Sequence, residues 1–383
     1  MTSFGFSPFR RPSVPNVLHL LVFVDMFAVS LVLPLLQNYY QLAAVPPSLR
    51  EVVSSLFSSS QILGGIAAGA FVDAGLLSRR GTLLLSFGGS AASYFIVGTA
   101  AGGARHASAR ICASRVVVGL VKQTMTASTA LLTRHTAAQD RTAAIGRQAA
   151  GTQLAWIVGP VFGALLYERA SPSAPAYVAA ALFLCNLVLV RLLLPADEKG
   201  APGGKRGKRG KGAPSSRAFL ASLRSCLAAP ALARVFAASL LTQWCTRASS
   251  PAAVPRFYER LYGTAPHHRG YIASYQHVLS LLAQTALLGP LLRRAGGERR
   301  AARGAAFATA AAHLVQAFAG FRGYCAVVLP LVATGGGLST TAYKSLVTQV
   351  TPEEGLGSTL AAMDVLRNVV AVTVPFYRTA LFA

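Results

Sequence analysis

The stretch NVLHLLVFVDMFAVSLVLPLLQ, residues 16–37, decides the fold class of this chain. It is apolar along its whole length except for a few polar positions, and its one charged residue is Asp25. A bilayer core of about 30 Å is crossed by roughly 20 helical residues. Similar runs recur to the end of the chain, so the sequence predicts an all-α polytopic membrane protein.

Composition supports a membrane protein and argues against two other classes. The 383 residues are 53% hydrophobic and only 13% charged, which is too few charges for a soluble surface. The net charge of +24 is that of many nucleic-acid-binding proteins, but the basic residues lie between apolar runs, where membrane topology accounts for them. The chain contains no P-loop, zinc-protease or serine-hydrolase motif. We therefore expect neither a nucleic-acid partner nor an enzyme, and no cofactor or bound metal.

Eleven membrane spans are predicted from the apolar runs. They cover residues 16–37, 52–72, 82–102, 111–132, 143–167, 175–195, 231–251, 270–292, 302–320, 323–349 and 356–378. With the N-terminus in the cytoplasm, the inner connections carry more than twice as many Lys and Arg residues as the outer ones. This excess predicts that orientation, although it becomes small when the longest inner connection is left out. The sequence does not indicate whether the plasma membrane or an organelle membrane houses the protein.

The longest inner connection divides the chain into two predicted bundles. Residues 1–195 form a six-helix bundle and residues 231–383 a five-helix bundle, separated by a linker at 196–230. The linker contains KGAPGGKRGKRGKGAPSSR, residues 199–217, which has no apolar face and is expected to be flexible and cytoplasmic. Its basic cluster either contacts anionic lipid or serves only to set the orientation.

The two predicted bundles resemble each other in sequence. GAFVDAGLLSRR, residues 69–80, follows the second span, and GPLLRRAGGERR, residues 289–300, follows the eighth, at an offset of about 220 residues. GPVFGALL at 159–166 parallels VPFYRTAL at 374–381 at nearly the same offset. An internal duplication explains the constant offset. In transporters built from such repeats, the substrate site lies between the repeats near the membrane centre.

Three short motifs resemble those of the major facilitator superfamily, and the likeness covers nearly the whole chain. They match the family's loop after helix 2, its Arg-x-x-x-Gly pattern in helix 4 and its Gly-Pro-x-x-Gly antiporter pattern in helix 5. The matching residues are Gly69, Asp73, Arg79 and Arg80 for the loop, Arg115 and Gly119 for helix 4, and Gly159, Pro160 and Gly163 for helix 5.

The first span is similar to helix 1 of the drug/proton antiporter branch, which includes tetracycline-efflux-like proteins and their eukaryotic orphan relatives. The chain departs from the family in two ways. Its basic loop pair sits about two residues late, and eleven predicted spans stand where the family has twelve. The resemblance implies two pseudo-symmetric helical bundles and transport by alternating access. It also implies a cytoplasmic charge latch of Asp73 with Arg79 and Arg80, although these arginines would equally serve only to set topology.

Charges within the spans are the main functional candidates, because each costs a few kcal/mol or more in the membrane. Asp25 and Asp364 are the acids deep within spans, at about 12–13 Å from the inner helix ends. A carboxyl group there is a candidate proton carrier, because a low dielectric favours its neutral form and a nearby cation opposes this. Arg367 is three residues from Asp364, and the two either pair within the same helix or serve in the cavity.

Arg115 and Lys122 are the candidate cations for Asp25. They are seven residues apart with Gly119 between them, so a continuous helix would place them on one face. Depth favours Lys122 as the partner of Asp25, whereas the resemblance implies that Arg115 lines the cavity. We predict that protonation of Asp25 frees one of these cations, or is triggered when substrate meets it; a permanent structural ion pair is the alternative.

Polar and aromatic residues within the spans are expected either to line a solute cavity or to hydrogen-bond between helices. They are Gln61, Gln153, Trp156, Gln243, Trp244, Gln276, His277 and Asn368.

The sequence therefore predicts a secondary transporter that exchanges protons for a small organic solute through Asp25 within a lipid bilayer. One alternative is a proton-independent facilitator or a symporter of the same fold. Another is a membrane scaffold or receptor that moves no solute.

Overall fold

The computed structural model describes residues 13–103, 105–195, 229–250, 257–351 and 356–382, and most of them are helical. The helices before the predicted linker are α1 Val14–Val32, α2 Leu36–Leu42, α3 Pro47–Asp73, α4 Arg79–Ala101, α5 Ala107–Val121, α6 Thr124–Arg134, α7 Arg141–Arg169 and α8 Ala174–Leu193. Those after it are α9 Pro230–Ala248, α10 Phe257–Tyr262, α11 His268–Leu282, α12 Leu288–Ala295, α13 Glu298–Phe318, α14 Phe321–Gly323, α15 Leu329–Val350 and α16 Leu356–Phe382.

Several neighbouring helices form longer rods. A 3₁₀ turn at Leu33–Leu35 joins α1 to α2, where Pro34 removes a backbone donor and prevents a regular α-helix. π-helical turns at Ala283–Leu287 and Tyr324–Val328 join α11 to α12 and α14 to α15. Ten of the eleven predicted spans fall on one helix or one such rod, and the fourth is the exception.

Seven helical stretches in the described ranges are long and apolar enough to cross a membrane, judged by length and composition. Six of them precede the predicted linker, and the seventh is Phe321–Val347. The helices of the second half carry more polar and small residues, which lowers their hydropathy. The all-helical, membrane-protein character of the chain is as predicted, while the number of crossings stays a prediction.

The fourth predicted span is not one continuous helix. The structure divides residues 111–132 into α5 and α6, with Lys122 and Gln123 in a non-helical conformation between them. The prediction of continuity was wrong because neither Gly nor Pro marks the break; tertiary contacts of these two side chains hold it instead.

Buried side chains form separate cores in the two parts of the chain. One core joins α1, α3, α4, α5 and α8 and includes Phe87, Tyr94 and Phe183. Two smaller cores follow the predicted linker, one around Phe236 and the other around Tyr258 and Tyr324. We refer to α1–α8 and α9–α16 as the N-terminal and C-terminal halves. Their exact domain boundaries remain a proposal, because residues 196–228 of the predicted linker lie outside the described residues.

Within the described ranges, two helix pairs make the main contacts between the halves. α7 packs against α1 in its own half and against α11 across the interface, while α3 packs against α16. Glycines permit the closest approaches: a Cβ on Gly163 would stand 2.1 Å from the Leu31 carbonyl oxygen, and one on Gly270 would stand 2.5 Å from that of Pro160. The Gly-Pro-x-x-Gly motif therefore provides close packing on two sides of α7.

We expect Gly163→Ala to destabilise the protein by about 1–3 kcal/mol, because the added methyl group overlaps the backbone of α1. Thermal unfolding of the purified protein in detergent measures this. Gly151→Ala is the matched control in the same helix, because a Cβ there meets nothing within 4 Å. Equal stability of the two variants would contradict the packing role of Gly163.

Candidate functional site

A buried ion pair between α1 and the α5–α6 break is the centre of the candidate site. The Lys122 ammonium group donates a hydrogen bond to Oδ1 of Asp25, whose side chain is fully buried. The Thr124 hydroxyl lies 3.4 Å from the same oxygen. The other carboxylate oxygen, Oδ2, is buried and has no hydrogen-bond partner within the described ranges. One oxygen thus holds the pair together while the other is available to a proton.

Side chains from neighbouring helices stabilise the break in the α5–α6 rod. The hydroxyl group of Ser86 on α4 accepts a hydrogen bond from the Gln123 backbone N–H at 3.2 Å and contacts the Thr124 hydroxyl at 2.8 Å. The Gln123 side chain donates to the Gln61 carbonyl oxygen at 3.2 Å. These contacts replace helical hydrogen bonds that the break removes, which is a requirement for irregular backbone inside a membrane.

The two helix ends at the break favour the charges of the ion pair. Lys122 follows the last residue of α5, where the helix dipole is negative and favours a cation. Thr124, which contacts Asp25, is the first residue of α6, where the dipole is positive and favours an anion. The broken helix therefore offsets part of the desolvation cost of both groups.

Arg115 takes part in a different cluster from Lys122. Its guanidinium lies 4.5 Å from the ring centroid of Phe57 on α3, within hydrogen-bonding reach of the hydroxyls of Tyr40 and Tyr94. The side chain is buried, with 5% of its surface exposed. Lys122 caps α5, and its backbone N–H still bonds to the Val118 carbonyl oxygen as in a helix. The structure places Lys122, not Arg115, beside Asp25.

Three predicted cavity residues lie where α7 meets α11. The Gln153 side chain donates to the His277 carbonyl oxygen at 3.1 Å, and the rings of Trp156 and His277 are 5.1 Å apart. These residues thus bridge the two halves near the middle of the rods. Gln276 is half-buried beside them, whereas the side chain of Gln61 is exposed on α3.

The polar residues of α9 contact α16. The Arg367 guanidinium donates to the Gln243 side-chain oxygen at 2.8 Å, and the rings of Trp244 and Tyr377 are 4.7 Å apart. The side chains of Asp364 and Asn368 lie outside the described residues, so the predicted pairing of Asp364 with Arg367 stays a prediction.

The loop motif after α3 is described in part. A Cβ on Gly69 would meet nothing within 4 Å, so packing does not require glycine there. The Arg80 guanidinium donates to the Arg191 carbonyl oxygen at 2.9 Å, at the end of α8, while Arg79 begins α4. The Asp73 side chain lies outside the described residues, and the charge latch stays a prediction. Gly119 packs on α3, because a Cβ there would stand 2.8 Å from the Phe57 carbonyl oxygen.

Sequence reasoning missed a second buried ion pair, which joins the two halves. Arg378 on α16 lies 3.1 Å from Glu51 on α3, and the exposed fractions of these side chains are 8% and 3%. Both residues stand at span ends, where a charge is usually explained by topology, so the sequence held no pattern that would single them out. Ser86 and Thr124 were missed because small hydroxyl residues are common in membrane helices.

Short connections make successive long helices antiparallel, so one end of the molecule holds the ends of α8 and the start of α9. We call this end the linker side and the opposite end the far side. The contacts between halves gather from the middle to the far side: Glu51 with Arg378, Glu168 with His267 at 3.7 Å, and the Ser55 hydroxyl with the Val372 carbonyl oxygen at 2.8 Å. The halves are therefore closed against each other on the far side.

Removal of one member of the central pair is expected to destabilise the protein more than removal of both. Lys122→Met leaves the buried Asp25 carboxylate without its cation, which costs about 3–5 kcal/mol, whereas the double variant Asp25→Asn/Lys122→Met loses less. Thermal unfolding in detergent measures the difference. Arg110→Met, on the exposed part of α5, is the control and should unfold like the wild type. Additive losses in the double variant would argue against a coupled pair.

Comparison with known proteins identifies the family. The family model of the Major Facilitator Superfamily matches residues 17–375. The chain is 26% identical over 239 residues to human Solute carrier family 67 member A1, covering 62% of this chain and 55% of that protein. It is 27% identical over 204 residues to the class D tetracycline resistance protein of Salmonella ordonez, covering half of each chain. Each match therefore spans about half the relative's length.

A solved structure of the human organic anion transporter MFSD10 (TETRAN) has the same fold, with a TM-score of 0.59 and 20% identity over 96% of this chain and 92% of that chain. The chain therefore belongs to the Major Facilitator Superfamily, and it is a multi-pass membrane protein with a transporter fold rather than an enzyme.

Proposed function

We propose that this protein is a proton-coupled secondary transporter of a small organic solute, with the Asp25–Lys122 pair as the coupling site. The observation that carries the proposal is the asymmetry of the Asp25 carboxylate: Oδ1 is held by Lys122 and Thr124, while the buried Oδ2 has no partner in the described part of the chain. A proton that binds Oδ2 neutralises the carboxylate and weakens its hold on Lys122.

The charge of the solute decides the direction of coupling. A solute that presents a cationic group competes with the proton and Lys122 for Asp25, so solute and proton exclude each other and move in opposite directions. This antiport agrees with the resemblance to drug/proton antiporters and with the similarity to a tetracycline resistance protein.

A second candidate, symport of an organic anion, is supported by the balance of charges. In the described part of the chain, the two buried span acids, Asp25 and Glu51, each contact a cation, whereas Arg115 and Arg247 contact no described acid. An anion that engages Lys122 leaves Asp25 free to take up a proton, so the two travel together. The likeness to the fold of an organic anion transporter is compatible with such a solute.

Proton flux in proteoliposomes tests the coupling site. A pH-sensitive dye inside the vesicles reports proton movement when each member of a panel of organic cations and anions is added outside. We expect wild type to move protons with at least one solute and Asp25→Asn to lose the proton signal while radiolabelled solute still exchanges across the membrane. Asp140→Asn, an exposed acid between α6 and α7, is the matched control and should behave like wild type.

The sign of the dye response separates antiport from symport. Solute movement that is insensitive to Asp25→Asn and carries no protons would identify a facilitator. Silence of folded wild-type protein across the panel would favour the scaffold or receptor alternative.

Alternating access requires the far side to open, and the Glu51–Arg378 pair opposes that opening. We expect Glu51→Gln to shift the population toward a state open on the far side, because it leaves Arg378 without its carboxylate in a buried contact. Spin labels at positions 49 and 376, in a background without native cysteines, measure the distance between α3 and α16 by electron paramagnetic resonance.

The charge-swapped variant Glu51→Arg/Arg378→Glu should restore the wild-type distance distribution. Glu168→Gln is the control at the same end, because its side chain is 44% exposed and its contact with His267 is long. If Glu51→Gln and Glu168→Gln give the same distribution as wild type, the buried pair does not hold the far side closed.

A further inference from the structure

A short chain of hydroxyl groups leads from the α5–α6 break to the Asp25 carboxylate. It consists of Ser86 on α4 and Thr124 at the start of α6, whose hydroxyl oxygens are 2.8 Å apart. The Thr124 hydroxyl in turn lies 3.4 Å from Oδ1 of Asp25. All three residues are buried, with at most 1% of their surface exposed, so bulk water does not compete for these contacts.

The direction of each hydrogen bond in this chain follows from what each group is able to donate. A carboxylate only accepts, so the Thr124 hydroxyl is the donor to Asp25. Because a hydroxyl has one hydrogen to donate, Ser86 must be the donor in its contact with Thr124. Ser86 accepts from the Gln123 backbone N–H at 3.2 Å. Every donor in the chain is therefore directed toward Asp25.

The chain does not conduct protons to Asp25. It begins at the backbone N–H of Gln123, and an amide hydrogen serves as a hydrogen-bond donor without being released near neutral pH. A proton therefore does not enter from that end. The chain instead holds the Thr124 hydroxyl in one orientation, because hydrogen bonds in series polarise and strengthen one another. Its role is to position a donor beside the carboxylate.

The contact of Thr124 with Asp25 is long, since hydrogen bonds between two oxygens usually measure about 2.7–2.8 Å. Lys122 occupies the same carboxylate oxygen and is the stronger donor there, because it is charged. Thr124 thus lies next to the cation as a second donor, aimed at the atom that Lys122 now holds. If Lys122 moves away, Thr124 is close enough to take its place.

Other charged and polar groups face the ion pair from α4, α5 and α8, while α7 meets α1 through glycines. Tyr94 on α4 and Arg115 on α5 act on the pair through charge. On α8, the ring of Phe183 lies 4.6 Å from the Lys122 ammonium group, and the Asn186 amide donates to a backbone carbonyl of α1. Within the described ranges, the side-chain donors to the Asp25 carboxylate are Lys122 and Thr124.

We propose that Thr124 is a positioning residue that replaces Lys122 as the donor to the Asp25 carboxylate when the ion pair opens, and that Ser86 holds Thr124 in the orientation this requires. The inference rests on the proposed function, in which the pair opens during transport. A buried carboxylate that loses its cation is destabilised, and a hydroxyl donor offsets part of that cost. Thr124 thereby sets the pH at which the unpaired Asp25 takes up its proton.

Infrared difference spectroscopy of the 383-residue protein in proteoliposomes tests this inference, because a carboxylate that takes up a proton gains a carboxyl C=O stretching band. The band that disappears in Asp25→Asn reports Asp25, and its intensity over a pH titration gives the midpoint of protonation. In a Lys122→Met background, where the ion pair does not form, we expect Thr124→Val to raise this midpoint by about one pH unit. Loss of a donor to the carboxylate favours the protonated form, and a hydrogen bond to a charged group accounts for a shift of this size.

The background with Lys122 present provides a second measurement if Lys122→Met folds poorly. There Thr124→Val should raise the midpoint by a smaller amount, and Thr124→Ser, which keeps the hydroxyl, should titrate like wild type. Thr126→Val is the matched control, because Thr126 is exposed on the same helix.

Ser86→Ala should shift the midpoint in the same direction as Thr124→Val. Ser90→Ala is its control, because Ser90 is buried one turn further along α4 and its hydroxyl has no partner in the described part of the chain. Equal midpoints for Thr124→Val and Thr126→Val would overturn the inference and leave Asp25 as the coupling site. An Asp25 carboxylate that takes up no proton while the protein stays folded would overturn the proposed function, and this inference with it.

Discussion

The break between α5 and α6 is the constraint on which the centre of this molecule depends. Lys122 caps α5, with its backbone N–H bonded to the Val118 carbonyl oxygen, and its side chain reaches Asp25. The interrupted backbone after Lys122 lets α6 begin at Thr124 and bring that hydroxyl to the same carboxylate. The buried carboxylate on α1 requires a cation, and Lys122 at the break supplies it.

The rest of the N-terminal half is arranged to permit this contact. Glycines on α3, α5 and α7 remove side-chain volume where backbones approach closely, and Ser86 on α4 hydrogen-bonds the interrupted backbone. Close packing transmits small movements, since a well-packed interior deforms little before it rearranges. A change in the charge of Asp25 would therefore shift α1. Because Gly159 and Gly163 of α7 pack directly against α1, that shift would move α7, which contacts the C-terminal half.

The two halves share a similar arrangement of helices but place their buried charges differently. In the N-terminal half, α8 completes the bundle, and the buried ion pair lies inside it. In the C-terminal half, the buried charge Arg378 pairs across the interface rather than within the bundle. Glu51 and Arg378 thus tie the conformation of one half to the other.

The sequence by itself determined the membrane-protein class, the approximate position of the helices and the family, and it singled out Asp25 as a candidate residue. An apolar run of about 20 residues fits a bilayer crossing, and a charge within such a run is costly enough to mark a candidate functional residue. These conclusions therefore needed no coordinates. Only the tertiary structure decided that Lys122 rather than Arg115 meets Asp25, that the fourth span is broken, and that Glu51 pairs with Arg378. Each of these depends on contacts between residues far apart in the chain, and helical periodicity within one segment carries no information about them.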